Sequence, residues 1–238
     1  MLLVSMVAGY LLGSIPVAWL VARAVTGRDL RQLGSGNVGV LNTAISVARW
    51  AGLVVFFAEA AKGVGAVFLG RSLSSSEAAP ALTLLATVAG TRWSIWLRGA
   101  GGRGNTASVA GILVLSWPTF VCGLAVWCVA RLLTGGSFAA TRVLLLTWPL
   151  LFGLLTRSWW NGLAGAALSL MFLTTHRPET DDHLIIQERW NSLWGFLTGP
   201  RRFKTRHPSA STSSSGEATE EATHAQHRSN CIIRMPRR

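Results

Sequence analysis

The residues with the most chemical capacity lie in short polar interruptions of an apolar chain. The first is Gly34-Ser35-Gly36-Asn37-Val38-Gly39, followed by Asn42. Glycines at this spacing permit positive φ and can expose successive backbone N–H groups, and such nests bind anions. Ser35 adds a hydroxyl, and Asn37 and Asn42 add amides. On spacing alone, an ordinary glycine-rich turn is the alternative. The second is Glu59 and Lys62, three apart and therefore on one face of a helix. Both fall well inside an apolar run, where ionisable groups are expensive and are retained for function or for a packing ion pair. Either way they should face the bundle interior. The third is Gly101-Gly102-Arg103-Gly104, opening an apolar helix. Helix N-termini bind anions, and Arg103 offers a planar fork that matches phosphate or carboxylate. A flexible turn with a topology-setting arginine is the alternative. His176 and Arg177 close the last long apolar run, where a helix cap or a topology signal would suffice.

Other chemistries lack their parts. Gly99 to Thr106 has the glycine spacing of a nucleotide phosphate-binding loop, but Asn105 stands where the lysine must be, and an apolar helix precedes instead of a strand. Ser35, His176, Asp181 and Asp182 supply the residue types of a hydrolytic triad, but nothing in the sequence brings them together. There is no His and carboxylate cluster for a metal. Cys122, Cys128 and Cys231 have neither metal nor disulfide spacing.

The elements that position these residues are membrane helices. Only 13% of the 238 residues are charged, about half the share in a soluble domain. Basic residues outnumber acidic ones 22 to 10, but they punctuate apolar runs instead of clustering on a polar face. That pattern fits cytoplasmic loops and not a nucleic-acid partner. Residues 1–24 are apolar for too long, and too free of basic residues at the start, to be a signal peptide. They predict a first span. Further spans are expected over 50–69, 78–97 and 107–133. Residues 139–175 predict two shortened helices hinged near Arg157 to Asn161. Residues 184–197, with Trp190 and Trp194, could lie in the interface as an amphipathic helix. The expected fold class is an all-α polytopic bundle of about six or seven membrane helices, some short or broken. It would occupy residues 1–199, with a disordered basic, Ser-rich tail at 200–238. Arg23, Arg28, Arg31, Arg98 and Arg103 place the polar segments after the first and third spans, and the tail, in the cytoplasm. The N-terminus and the turns near Ser74 and Gly135 would then face outward.

These residues together resemble a known family. Tyr10-Leu11-Leu12-Gly13-Ser14-Ile15-Pro16, Asp29-Leu30-Arg31 and the Gly34 to Asn42 segment closely follow the first part of the bacterial membrane acyl-phosphate:glycerol-3-phosphate acyltransferases, the PlsY type. Glu59-Ala60-Ala61-Lys62-Gly63 looks like that family's Asp-x-x-Lys-Gly, and Gly101-Gly102-Arg103-Gly104 like its Gly-Gly-Lys-Gly. The resemblance implies acyl transfer from acyl phosphate to the 1-hydroxyl of glycerol-3-phosphate. The product would be lysophosphatidate for phospholipid biosynthesis, made in the bacterial inner membrane among membrane lipids, with no cofactor or metal. It implies catalytic roles for Ser35 and Arg103. Phosphate or substrate contacts would come from Gly34, Gly36, Asn37, Gly39, Asn42, Glu59, Lys62, Gly101, Gly102, Gly104, His176 and Arg177. The family's hydroxyl at the start of the fourth span would fall at Thr106 or Ser108. Departures include Val40-Leu41 for Ala-Thr, Ile45 for Arg, Thr91 for His, Ser94 for Pro and Glu179 for Asn. A catalytically impaired paralogue that binds anionic lipid or phosphate, or a small transporter, are the competing readings; no internal repeat supports the transporter.

Overall fold

The computed structural model describes residues 1–175, 186 and 193–199, all within the unit Met1–Pro200. His176, Arg177 and the segment from 200 onward lie outside the described residues. The regular structure among the described residues is all helical. Helices α1 (Leu2–Ser14) and α2 (Val17–Thr26) form one broken span. A short α3 (Val40–Ser46) precedes the long α4 (Arg49–Leu73). Then come α5 (Ala79–Arg92), α6 (Asn105–Leu115), α7 (Trp117–Thr134), α8 (Ser137–Thr156) and α9 (Trp159–Leu173). A further helical turn spans Leu193–Thr198. The α1–α2 span, α4, α7 and α8 are long and apolar enough to cross a bilayer. The protein is an integral membrane helical bundle.

The sequence explains the breaks. Pro16 lacks an N–H and disfavours helix at the residue before it, and Ile15 is accordingly extended. Ser116 ends α6 and caps α7, its Oγ accepting from the Thr119 N–H, with a proline in the first turn of α7.

Close contacts fix the helix directions. Gly9, Gly13 and Ser14 of the first span meet Thr83, Thr87 and Ser94 in the same order, so α1 and α5 run parallel. Gly70 meets Pro80, so α4 and α5 are antiparallel. Gly104 and Gly111 meet Val88 and Leu84, so α6 runs with α4. Trp127 donates to Thr141 while Gly123 abuts Trp148, so α7 and α8 are antiparallel. Gly153 packs on Gly162, which reverses α9 again. Ser108 and Ile112 of α6 share a cavity wall with Thr141 and Trp148 of α8, so those two helices run the same way.

Two expectations are corrected by this topology. Residues 107–133 are not one span, because the chain turns back at Ser116. The Gly135 turn is therefore not on the same face as Ser74; it lies at the end that carries the Gly34 and Gly101 loops. The division of 139–175 near Arg157 is observed, although α8 at 20 residues is not shortened.

Small residues let these helices approach. A Cβ at Gly63 would collide with the Ala107 carbonyl, and one at Gly90 with the Tyr10 carbonyl. Threonine and serine hydroxyls then cross-link α1 to α5. Thr87 donates to the Gly9 carbonyl at 2.9 Å, Thr91 to Gly13 at 3.2 Å and Ser94 to Ser14 at 2.6 Å.

Candidate active site

Asn42 organises the first loop. It is fully buried on α3. Its Nδ2 donates to the carbonyls of Leu33 at 3.0 Å and Asn37 at 2.8 Å, and more weakly to Leu30 at 3.4 Å. Its Oδ1 accepts from the Ser35 N–H at 3.3 Å and from Ser46 Oγ at 2.9 Å. Gly36, at φ +76°, turns the chain so that its own N–H reaches the Leu33 carbonyl. Asn37 N–H is taken by Ser35 Oγ, and Gly39 N–H by the Asn37 carbonyl. The expected row of open N–H groups is thus turned inward. This loop is a scaffold, and Asn37 and Gly39 line a cavity beyond it.

The second loop is held in the same way. The Gly101 and Gly102 N–H groups donate to the Arg92 and Thr91 carbonyls at 3.0 and 2.9 Å. A Cβ at Gly102 would strike the Val38 carbonyl, so this glycine lets the two loops touch. Gly104, at φ +77°, starts α6. The first backbone bond of α6 runs from Ser108 N–H to the Gly104 carbonyl. The N–H groups of Asn105, Thr106 and Ala107 therefore lie at the open end of the helix, which favours an anion.

Glu59 and Lys62 form a buried ion pair, Nζ to Oε1 at 2.7 Å. The ammonium also donates to the Ile15 carbonyl, which the Pro16 break has released from the helix, and reaches Gly13 at 3.4 Å. Lys62 is thereby committed to holding α4 against α1. Glu59 Oε2 has no hydrogen-bond partner among the described residues.

Two cavities lie side by side at this end of the bundle, with Arg103 and Asn105 in both walls. A polar one of about 120 Å³ is lined by Asn37, Gly39, Glu59, Thr91, Arg103, Gly104, Asn105 and Thr106, with Val38, Val40 and Leu41. An apolar one of about 170 Å³ runs between α6, α8 and α9, past Ile112, Leu145, Trp148, Leu168 and Phe172.

Of the expected site residues, Asn37, Gly39, Glu59, Arg103, Gly104 and Thr106 come together on the polar wall. Ser108 lines the apolar cavity instead. Gly34, Ser35, Gly36, Asn42, Lys62, Gly101 and Gly102 stand behind the wall as its framework. His176 and Arg177 lie outside the described residues.

Thr91 and Asn105 are wall residues that were not anticipated. Their signal was available: Asn105 is the first helical residue after the glycines, and Thr91 falls one turn beyond Thr87 on α5. Outside the spans, Asp29 is held down at about 2 by its hydrogen bonds with the Arg31 guanidinium, 2.6 Å away. This pair clips the loop that leads into Gly34.

A bilayer protein whose polar and apolar cavities share Arg103 and Asn105 in their walls is suited to a phosphate that carries a lipid tail. Known proteins match the chain. A family model described as glycerol-3-phosphate acyltransferase matches residues 3–184. Glycerol-3-phosphate acyltransferase 2 of Moorella thermoacetica is 42% identical over 151 residues, covering 60% of this chain and 75% of that one. The glycerol-3-phosphate acyltransferase of Desulforudis audaxviator is 35% identical over 175 residues, covering 72% and 86%. The crystal structure of PlsY (YgiH), an integral membrane glycerol 3-phosphate acyltransferase, in its glycerol 3-phosphate form, has the same fold. Its TM-score is 0.64 at 22% identity, covering 86% of this chain and 96% of that one. The chain belongs to the glycerol-3-phosphate acyltransferase family.

Proposed function

We propose that this family member, a glycerol-3-phosphate acyltransferase of phospholipid synthesis, takes its acyl group from an acyl phosphate. It passes that group to the 1-hydroxyl of glycerol-3-phosphate, giving lysophosphatidate and inorganic phosphate. The observation that carries this reading is the pair Arg103 and Asn105, which border the polar and the apolar cavity at once. An acyl phosphate laid across that border has its phosphate at Arg103 and the start of α6, and its chain among Leu145, Trp148, Leu168 and Phe172.

The reaction needs placement more than activation, because the donor is already activated. The 1-hydroxyl oxygen attacks the acyl carbon and forms the new ester bond. The bond from that carbon to the bridging phosphate oxygen breaks, and the electron pair leaves with phosphate. A phosphate oxygen takes the hydroxyl proton, so no side-chain base is required. Arg103 and the N–H groups of Asn105 to Ala107 stabilise the charge that grows on the departing phosphate. Asn37 and Thr106 orient the acceptor in the polar cavity. Ser35, Gly34, Gly36 and Asn42 hold Asn37 in place, and Lys62 fixes Glu59 in the wall. His176 and Arg177, which lie outside the described residues, keep the phosphate contacts that the family resemblance implies.

We place the site face in the cytoplasm of a bacterial inner membrane, with the N-terminus outside and the tail from residue 200 inside. Arg28, Arg31, Arg98, Arg103 and Arg131 all fall at the site end of the bundle, against Arg71 and Arg157 at the other, which agrees with the positive-inside bias.

The test uses purified full-length protein, labelled glycerol-3-phosphate, and either palmitoyl phosphate or palmitoyl-CoA. Lysophosphatidate from the acyl phosphate alone is expected. Product from palmitoyl-CoA alone would reject the donor assignment, and no product from either, in folded protein, would make the chain an impaired paralogue.

A further inference from the structure

We infer that the side-chain amide of Asn105 is a catalytic group, donating to the carbonyl oxygen of the acyl phosphate. The inference rests on the reading of the apolar cavity as the acyl site.

Asn105 stands at the head of that cavity. Asn105, Ser108, Val109 and Ile112 all line it. Steps of three, four and seven residues put them on one stripe of α6. Asn105 is the first residue of the helix, so it ends the stripe. Ser108 lies about 4.5 Å further along at the helical rise, and Ile112 about 10.5 Å. Thr106, the next residue, lines the polar cavity only. Among the described residues, only Arg103 and Asn105 line both cavities. Asn105 therefore marks the level on α6 at which the lining changes from polar to apolar.

The amide is accessible there. Asn105 is exposed, whereas Ser108, one turn on, is buried. Its side chain makes no hydrogen bond among the described residues. Asn42, by contrast, commits both ends of its amide to the first loop.

The substrate fixes what that level must hold. In an acyl phosphate, the carbonyl carbon sits between the charged head and the alkyl chain. With the phosphate at Arg103 and the chain in the apolar cavity, the carbonyl falls where the two linings change over. As the 1-hydroxyl adds to the carbon, the carbonyl π pair moves onto oxygen and makes it an anion. As the bond to the bridging oxygen breaks, the pair returns and the charge leaves with phosphate. Arg103 serves the phosphate, so the carbonyl oxygen needs a donor of its own. An amide nitrogen offers two hydrogens without a charge. It can therefore border an apolar cavity without the desolvation cost of a second cation. Asn105 gains and loses no atoms in the step.

The experiment compares two unreactive ligands on full-length protein in detergent. One is 2-oxoheptadecyl phosphonate, which keeps the carbonyl and has CH2 in place of the bridging oxygen. The other is heptadecyl phosphonate, which lacks only the carbonyl. Wild type should bind the oxo compound about tenfold more tightly, the scale of one hydrogen bond. In Asn105→Leu and Asn105→Asp, both close to asparagine in shape, the ratio of Kd values should fall to one or below, because neither side chain donates. A ratio is not moved by a loss of folded protein. An amide that served the phosphate instead would weaken both ligands alike and leave the ratio in place. Turnover gives the second readout. With palmitoyl phosphate, kcat should fall about a hundredfold in both variants, the scale of one oxyanion donor, with the KM for glycerol-3-phosphate within a few-fold of wild type. A wild-type ratio near one overturns the inference and leaves the acyltransferase reading standing. So does a ratio that survives both substitutions, or a kcat within a few-fold of wild type in both. Wild-type protein that turns over no acyl phosphate and binds neither phosphonate defeats the acyltransferase reading and this inference with it.

Discussion

The two halves of the bundle are held together differently. Around the polar cavity, α1, α4 and α5 are joined by polar contacts, most of them buried, and α6 packs on α4 at Gly63. Thr87, Thr91 and Ser94 bond to carbonyls of the first span, Tyr10 Oη donates to the Trp93 carbonyl at 2.7 Å, and Lys62 bridges Glu59 to the α1 break. Around the apolar cavity, α7, α8 and α9 meet mainly through rings and glycines, Trp148 on Phe152, Gly123 on Trp148 and Gly153 on Gly162, with Trp127 to Thr141 and Arg131 to Ser137 as part-buried hydrogen bonds near the Gly135 turn. Polar bonds have fixed directions, whereas side-chain packing can be rearranged at lower cost. On the function proposed above, the first half holds phosphates in fixed positions, while the second admits a flexible chain.

Substitutions should expose this contrast. The largest effect is expected for Lys62→Ala, which strands Glu59 without its cation inside the bundle; losing one partner of a buried pair costs about 3–5 kcal/mol. Little folded protein should be recovered, by size-exclusion profile in detergent, and Glu59→Gln combined with Lys62→Met should recover more than Lys62→Ala alone. Arg103→Ala should leave the fold intact and lower kcat/KM by about a hundredfold or more, the scale of losing a charge-stabilising donor. A smaller loss would move the phosphate site elsewhere on the α6 terminus. Asn42→Ala removes the hub of the first loop, with a cost of about 3 kcal/mol from stranded partners; the KM for glycerol-3-phosphate should rise about tenfold with the acyl-donor KM nearly unchanged. In the other half, Gly123→Ala should be tolerated. Its methyl displaces Trp148 into the apolar cavity, so the preference should shift to shorter acyl phosphates by a few-fold, read from a chain-length series.

The smallest effect lies outside both cavities. The carboxyl of Asp29 is depressed from 3.8 to about 2 by Arg31. Its contribution to stability is therefore complete above about pH 4 and disappears as pH falls through about 2. The pair is partly exposed, so Asp29→Asn should cost less than about 1 kcal/mol at neutral pH, measured by thermal unfolding.

Much of the first half was legible because its requirements are written in residue types. Glycines mark where backbones touch, and an acid and a base inside an apolar run must pair. The direction of the loop N–H groups was not legible. Whether Ser35 and Gly101 present their N–H groups outward depends on Asn42 and on the end of α5, and spacing carries no record of those partners. Thr91 and Ser94 read as departures from a family pattern; in the fold they are cross-links to Gly13 and Ser14. The second half was harder to read because hydropathy does not distinguish a long helix from a hairpin. Ser116 and Pro118 carry the reversal, but a capping serine and a proline within an apolar run also suit a kinked helix. Misreading that turn put Gly135 on the wrong face and hid the apolar cavity, which exists only because α8 and α9 return to the start of α6.

The break at Ile15 and Pro16 bears on how the chain enters the membrane. A helix opened at mid-depth presents carbonyls that hydrocarbon cannot satisfy, so the first span is unfinished when it stands alone in lipid. Beside the Val17 N–H, the donor at the Ile15 carbonyl is the ammonium of Lys62, which arrives only with α4. Glu59 travels on the same helix, one turn away, so the donor comes with its own counter-charge. The two spans thus complete each other: the break in the first supplies carbonyls, and the second brings the cation that bonds to them together with its counter-charge.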